Sequence, residues 1–175
     1  FDIKKTRNVQ GVAAQVEPFR YTPYGDLLKR YFEEKLSIIF LDGVNDPHNL
    51  GVILRTLACL GGFGVVLAEK SSCGVNETVM HVAVGGENYT PVAKVESMYE
   101  AVGNAKNQGI PVYVSVAENG GESIYDARLS KPSAVVFGSE NDGVSGGIMG
   151  LADKKIHIPT PGAGLTLNLN TACAV

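Results

Sequence analysis

"LSIIFLDGVNDPHNLGVILRTLACLGGFGVVLAE", residues 36–69, holds the pattern that decides the fold. Leu36 to Asp42 is a continuous run of bulky aliphatics ending at Gly43, the signature of a strand covered on both faces rather than one. Pro47 and Asn49 stand where a helix starts, and Gly61-Gly62 where it must stop. Between them Val52, Leu54, Leu57, Ala58 and Leu60 approximate helical spacing, and "FGVVLAE" (63–69) is a second aliphatic strand. Two buried strands joined by an apolar-faced helix form a βαβ unit, which makes the strands parallel.

The same alternation continues outward from this unit. Downstream, the pattern predicts a helix over 75–84, a short strand at "PVAKV" (91–95), a helix over 96–109 closed by Gly109, and a strand at "IPVYVSVA" (110–117). "PSAVVFG" (132–138) is a further strand running into the glycine-rich turn "SENDGVSGG". A short helix to Leu151, a strand "KKIHIP" (154–159), the loop "TPGAGLTLNLN" and the first residues of a helix, "TACAV", complete the chain. Upstream, residues 1–36 read as a lead-in segment, extended first and then helical around Asp26–Glu34. The class is α/β: a mostly parallel sheet with helices on both faces, and no internal repeat or low-complexity tract.

A length of 175 residues, with 45% apolar and 19% charged side chains, suits one globular domain with its own core. No stretch approaches the roughly 20 apolar residues that cross a bilayer, and the first residues lack a secretory pattern. A cytoplasmic address is expected, or a mitochondrial one if a transit peptide has been removed. Cys59, Cys73 and Cys173 are far apart, with no C-x-x-C pair, so neither a disulfide framework nor a zinc site is expected. The net charge of −3 does not advertise nucleic-acid binding. Basic residues are concentrated in 1–36, which carries seven cations against five acids. An RNA ligand would therefore draw much of its affinity from contacts other than phosphates.

Three stretches carry chemistry. In "DPHNLGVILRT" (46–56), Asn49 could cap the first helical turn, Gly51 permits close backbone approach, and Arg55, read as lying in the second turn, offers a fork of donors for phosphate or carboxylate. In "VVFGSENDGVS" (135–145), an apolar strand delivers Gly138 and Glu140 at its carboxyl end, where open α/β sheets place ligands. In 157–175, Ile158 and Pro159 lead into a loop, then Thr166-Leu167-Asn168 precedes an apolar helix that Thr166 or Asn168 could cap. Backbone groups of such a loop could equally hold an adenine edge, with Ile158 and Leu167 packing its faces. Each stretch also has a plain structural reading, as a helix cap or a surface turn. The G-x-G-x-x-G and G-x-x-x-x-G-K-[ST] signatures are missing, which counts against an NAD enzyme or a nucleoside triphosphatase.

Taken together and in this order, the stretches resemble the three signature motifs of the SpoU/TrmH family of SPOUT RNA methyltransferases. N-x-G-x-x-x-R matches Asn49, Gly51 and Arg55; G-[SA]-E-x-x-G matches Gly138, Ser139, Glu140 and Gly143; I-P-M-x-G-x(3)-S-L-N-V-S matches Ile158 through Asn170. "VQGVAAQVEPFRY" and "LDGVNDPHNLG" resemble the branch that modifies guanosine in large-subunit ribosomal RNA (RlmB-like). The chain departs from the pattern at Thr160 (Met in the motif), Thr166 (Ser) and Asn170 (the second Ser).

The resemblance implies S-adenosylmethionine-dependent 2′-O-methylation of a ribose in structured RNA, with ribosomal RNA favoured over transfer RNA. A non-catalytic RNA-binding or assembly protein on the same fold is the alternative. It implies Asn49, Arg55, Glu140, Thr166 and Asn168 as catalytic residues, Gly138, Ile158 and Leu167 at the cofactor, and no metal. Arg55 is expected to clamp phosphate and stabilise the developing alkoxide, oriented by Glu140, because a guanidinium is a poor base. The resemblance further implies a carboxyl-terminal trefoil knot in a catalytic domain over 37–175, and a homodimer with sites near its interface. An RNA-binding domain is expected before residue 1, and the rest of a final helix after residue 175.

Overall fold

The aliphatic run at the centre of the sequence forms strand β1 (Ser37–Asp42) of a computed structural model that describes residues 17–117, 120–162 and 165–175. The chain-order elements are α1 (Tyr24–Glu34), β1, α2 (Pro47–Leu60), β2 (Phe63–Ala68), α3 (Glu77–Ala83), a 3₁₀ turn (Gly86–Asn88), β3 (Val92–Val95), α4 (Met98–Asn107) and β4 (Val112–Ser115). They continue with β5 (Glu122–Ser123), β6 (Ala134–Gly138), α5 (Gly146–Met149), β7 (Lys154–His157) and α6 (Leu169–Ala172). The seven strands lie in the order β3-β2-β1-β6-β4-β7-β5, and every pairing is parallel. The late strands β6 and β7 are each inserted between earlier ones, as a threaded carboxyl-terminal part requires.

Side chains alternate across β1, and each face meets its own helices. Ile38 and Phe40 join Leu27, Leu28, Met98, Val102 and Ile148, so α1, α4 and α5 cover one face. Ile39 and Leu41 join Leu50, Ile53, Leu54, Leu57, Val79 and Leu169, so α2, α3 and α6 cover the other. Burial on both sides explains why β1 reads as an unbroken apolar run. The helices begin and end close to where sequence signals put them. The expected helix over 75–84 is shorter, and Gly109 closes α4 with φ of 82°. The two-residue β5 and the 3₁₀ turn have no apolar period and were not expected.

Two local expectations about α2 are corrected. Its cap is Asp46, whose Oδ1 accepts from the backbone N–H of His48 at 2.8 Å, with Pro47 at the first helical position. Asn49 lies inside the first turn, which frees its side chain for other partners. Arg55 falls in the third turn, because the helix starts at Pro47. A Cβ on Gly51 would stand 2.6 Å from Cβ of Val82 and 3.0 Å from O of Val79, so this glycine is what lets α2 and α3 touch.

Asp153 ties α4 and β4 to the turn before β7. Its Oδ2 accepts from Val112 N at 2.8 Å, its own N–H donates to Val112 O at 2.8 Å, and its Oδ1 lies 3.0 Å from Lys106 Nζ. Burial pushes this carboxyl up, but the Val112 N–H and the Lys106 ammonium outweigh it and hold it below the usual carboxylate range. A lowered folded value means stability that is complete above the ordinary carboxylate pKa of about 3.9 and is lost as pH falls through the lower, folded one. Asp153→Asn is therefore expected to cost up to about 1 kcal/mol at neutral pH, discounted for solvent screening, and almost nothing in strong acid. Urea unfolding of both proteins across that range checks it; a pH-independent difference would refute the linkage.

Candidate active site

Because all strands run the same way, their carboxyl ends share one edge of the sheet, the edge where open α/β sheets take ligands. A cavity of about 620 Å³ opens there, past the ends of β4, β6 and β7. Gly138, Glu140, Ile158, Thr166, Leu167 and Asn168 line it, six of the eight residues expected at the site, and Phe137 and Ala172 add apolar wall.

Gly138 is the last residue of β6, paired with Asp42 of β1, and the chain turns back on itself at once. Ser139 N donates to Gly143 O at 3.2 Å, Gly143 N donates to Ser139 O at 3.0 Å, and Asp142 N donates to Ser139 Oγ at 3.0 Å. The tight loop needs glycine twice. Gly143 sits at φ of 68°, and a Cβ on Gly138 would fall 2.0 Å from the carbonyl carbon of Gly143. The turn carries Glu140 to the cavity wall.

One hydrogen-bond chain draws the three sequence stretches together. Glu140 Oε1 accepts from Asn49 Nδ2 in a short bond, and from Asn168 Nδ2 at 3.4 Å. Asn49 Oδ1 accepts from Asn170 Nδ2 at 2.7 Å, and Asn170 Oδ1 accepts from Thr171 Oγ1 at 3.1 Å. Asn168 also caps α6, its Oδ1 accepting from Asn170 N at 3.0 Å, so the capping and site roles coincide in one side chain. An ionised carboxylate accepts only, so the polarity of every amide in the chain follows from Glu140. Asn49 is buried and Asn170 half-buried, which makes the chain costly to leave incomplete. Both amides reach Oε1; among the described residues no donor reaches Oε2.

Arg55 is not brought to this cavity. It is exposed on α2, absent from the lining, and without an ion pair to any described residue. The six residues from Asn49 advance roughly 9 Å along the helix and turn it by about 240° beyond one full revolution, so the two side chains leave in different directions. Glu140 therefore orients Asn49 and Asn168, and not Arg55 as expected. Conversely, Asn170 belongs to the chain although it breaks the motif. The signal for it was a polar amide two residues from Asn168 at the start of an otherwise apolar helix. Among the cysteines, burial pushes the Cys173 thiol up to about 12 and also raises Cys73, so neither is a ready nucleophile.

The model of the SpoU rRNA Methylase family matches residues 37–175. An uncharacterized tRNA/rRNA methyltransferase of Synechocystis sp. is 36% identical over 175 residues, covering 99% of this chain and 45% of its own length. The chain thus spans just under half of that relative. A TrmH/SpoU tRNA modifying enzyme of A. aeolicus superposes with a TM-score of 0.69 at 26% identity, covering 86% of this chain and 79% of that one. An AdoMet-bound rRNA methyltransferase from Sinorhizobium meliloti superposes with a TM-score of 0.75 at 24% identity, over 89% of this chain and 58% of that one, a likeness of fold alone. No helix among the described residues is long and apolar enough to cross a membrane.

Proposed function

Since the chain belongs to the SpoU rRNA methylase family, we propose that it transfers a methyl group from S-adenosylmethionine to a ribose 2′-hydroxyl of structured RNA, with a guanosine of large-subunit ribosomal RNA as the target. The observation that supports this best is the meeting of Asn49, Glu140, Asn168 and Asn170, from stretches up to 121 residues apart, beside one cavity. A homodimer with sites near its interface and a cytoplasmic address complete the reading.

The cavity suits the cofactor. Its volume of about 620 Å³ lies in the range of small-molecule sites, and its lining combines the apolar Val116, Phe137, Ile158 and Leu167 with the polar Ser139, Glu140 and Asn168. Ile158 and Leu167 would pack the faces of the adenine, and the main chain at Gly138 would meet its polar edges. S-adenosylmethionine supplies an activated methyl group whose departure needs no acid. What the protein must do is orient the ribose and manage one proton. The anchored Glu140, whose Oε2 meets no donor among the described residues, supplies a fixed carboxylate for that task. Thr166 presents a hydroxyl at the cavity wall, and Asn168 offers its amide there. Arg55, outside the cavity, takes an RNA phosphate and so sets the approach of the ribose.

Calorimetric titration with S-adenosylmethionine tests the cofactor site directly, and the absence of a binding heat would favour the non-catalytic alternative. Arg55→Lys is expected to bind the cofactor as the parent does while methyl incorporation into RNA falls by on the order of 100-fold. Near-normal turnover would remove Arg55 from the mechanism.

A further inference from the structure

The two amides that donate to Oε1 of Glu140, those of Asn49 and Asn168, both have their oxygens held by one residue, Asn170. The main-chain N–H of Asn170 donates to Asn168 Oδ1 at 3.0 Å, and its side-chain Nδ2 donates to Asn49 Oδ1 at 2.7 Å. An amide whose oxygen is engaged on one side presents its N–H groups on the other, and for both amides that side holds Glu140. Glu140 is itself exposed on a tight turn, and among the described residues only these two amides hold its carboxylate.

The two grips make different demands on the sequence. The main-chain grip caps α6 and survives any substitution except proline. The side-chain grip needs a donor that reaches from α6 to α2, on a side chain whose oxygen accepts from Thr171 Oγ1 at 3.1 Å. Serine, the residue of the motif, has a donor, but its hydroxyl stops one bond short of where Nδ2 stands, too far for a direct hydrogen bond. Aspartate has the reach but no donor when ionised, so it would draw the Asn49 N–H groups toward itself and away from Glu140. Without a donor, Oδ1 of the buried Asn49 is left unsatisfied, and an Asn in a first helical turn then competes for nearby main-chain groups. Of the three side chains, asparagine alone meets both demands.

We propose that Asn170 is a positioning residue for methyl transfer: it holds the oxygens of Asn49 and Asn168 so that both amides face Glu140, and thereby fixes that carboxylate at the cavity wall. The role rests on the methyl-transfer reading above. It makes the departure from the motif a working part of this site, so that replacing Asn170 by the motif's serine is a loss and not a repair.

Methyl incorporation into large-subunit ribosomal RNA and the side-chain amide resonances of the intact chain test this together. Asn170→Ser is expected to lower kcat by on the order of tenfold, the worth of one hydrogen bond, with the calorimetric affinity for S-adenosylmethionine unchanged. Asn170→Asp should lower kcat further. In an Asn49→Ala background, Asn170→Ser should cost nothing more, because its effect passes through Asn49. In ¹⁵N–¹H spectra the side-chain amide of Asn49, identified by its loss in Asn49→Ala, should shift in Asn170→Ser, while that of Asn168 keeps its position. Parent-like kcat in Asn170→Ser, an equal loss in both backgrounds (the mark of mere α6 packing), or an unmoved Asn49 amide would each overturn the role. A parent that incorporates no methyl would instead sink the methyl-transfer reading, and the amide shifts would still report whether Asn170 holds Asn49.

Discussion

Gly138→Ala is expected to abolish binding of S-adenosylmethionine and to destabilise the protein by about 3 kcal/mol. The added methyl would lie 2.0 Å from C of Gly143, 2.1 Å from N of Val144 and 2.3 Å from O of Gly143. All three are main-chain atoms, so no side-chain rotation relieves the overlap. To make room, the loop must swing away from β6 and break the paired bonds between Ser139 and Gly143. That movement carries Glu140 out of reach of Asn49 and Asn168, and it opens the cavity wall. Thermal melting should show a drop of several degrees, and calorimetry no cofactor heat. A variant that melts with the parent and titrates normally would mean that the turn is not held as described.

Asn49→Asp should reduce turnover by on the order of 100-fold or more at neutral pH and cost about 2 kcal/mol of stability, even though it changes almost no volume. The new carboxylate can still accept from Asn170, but it faces Oε1 of Glu140 where an N–H donor stood. Two carboxylates at hydrogen-bond distance cannot both ionise cheaply, so the pair is forced to retain a proton and its upper pKa rises. The sign follows. A raised acid pKa in the folded state penalises folding above that value, and the penalty fades as pH falls through it. Urea unfolding of the variant should therefore approach the parent on acidification, as is also expected of Asp153→Asn, but at higher pH, because here the shifted pKa is raised and there it is lowered. A deficit that stays constant with pH would show that packing, and not charge, is what Asn49 supplies.

The central βαβ unit was legible because burial on both faces leaves an unbroken aliphatic run, and few other structures tolerate one. The strand order was not. β6 sits against β1 because residues nearly a hundred positions later fit between β1 and β4, and no local period records that choice. Glu122–Ser123 could not be seen as a strand, being two polar residues whose pairing to β7 is their only distinguishing feature. At the site, Gly138, Glu140 and Asn168 could be named from motif and strand-end position together. Asn170 breaks the motif and had only its place two residues after Asn168 to mark it, since the chain its amide completes is visible only once α2 and α6 are packed. Arg55 was visible as a residue type but not as a location, because helical phase separates it from Asn49.

That phase has a further consequence. A single rigid rod, α2, carries both the amide that anchors Glu140 and the guanidinium of Arg55, so pitch alone sets their interval. Connecting segments on either side can lengthen or shorten without disturbing it. Between positions 49 and 55, however, adding or deleting one residue would swing the guanidinium about 100° around the axis relative to the amide.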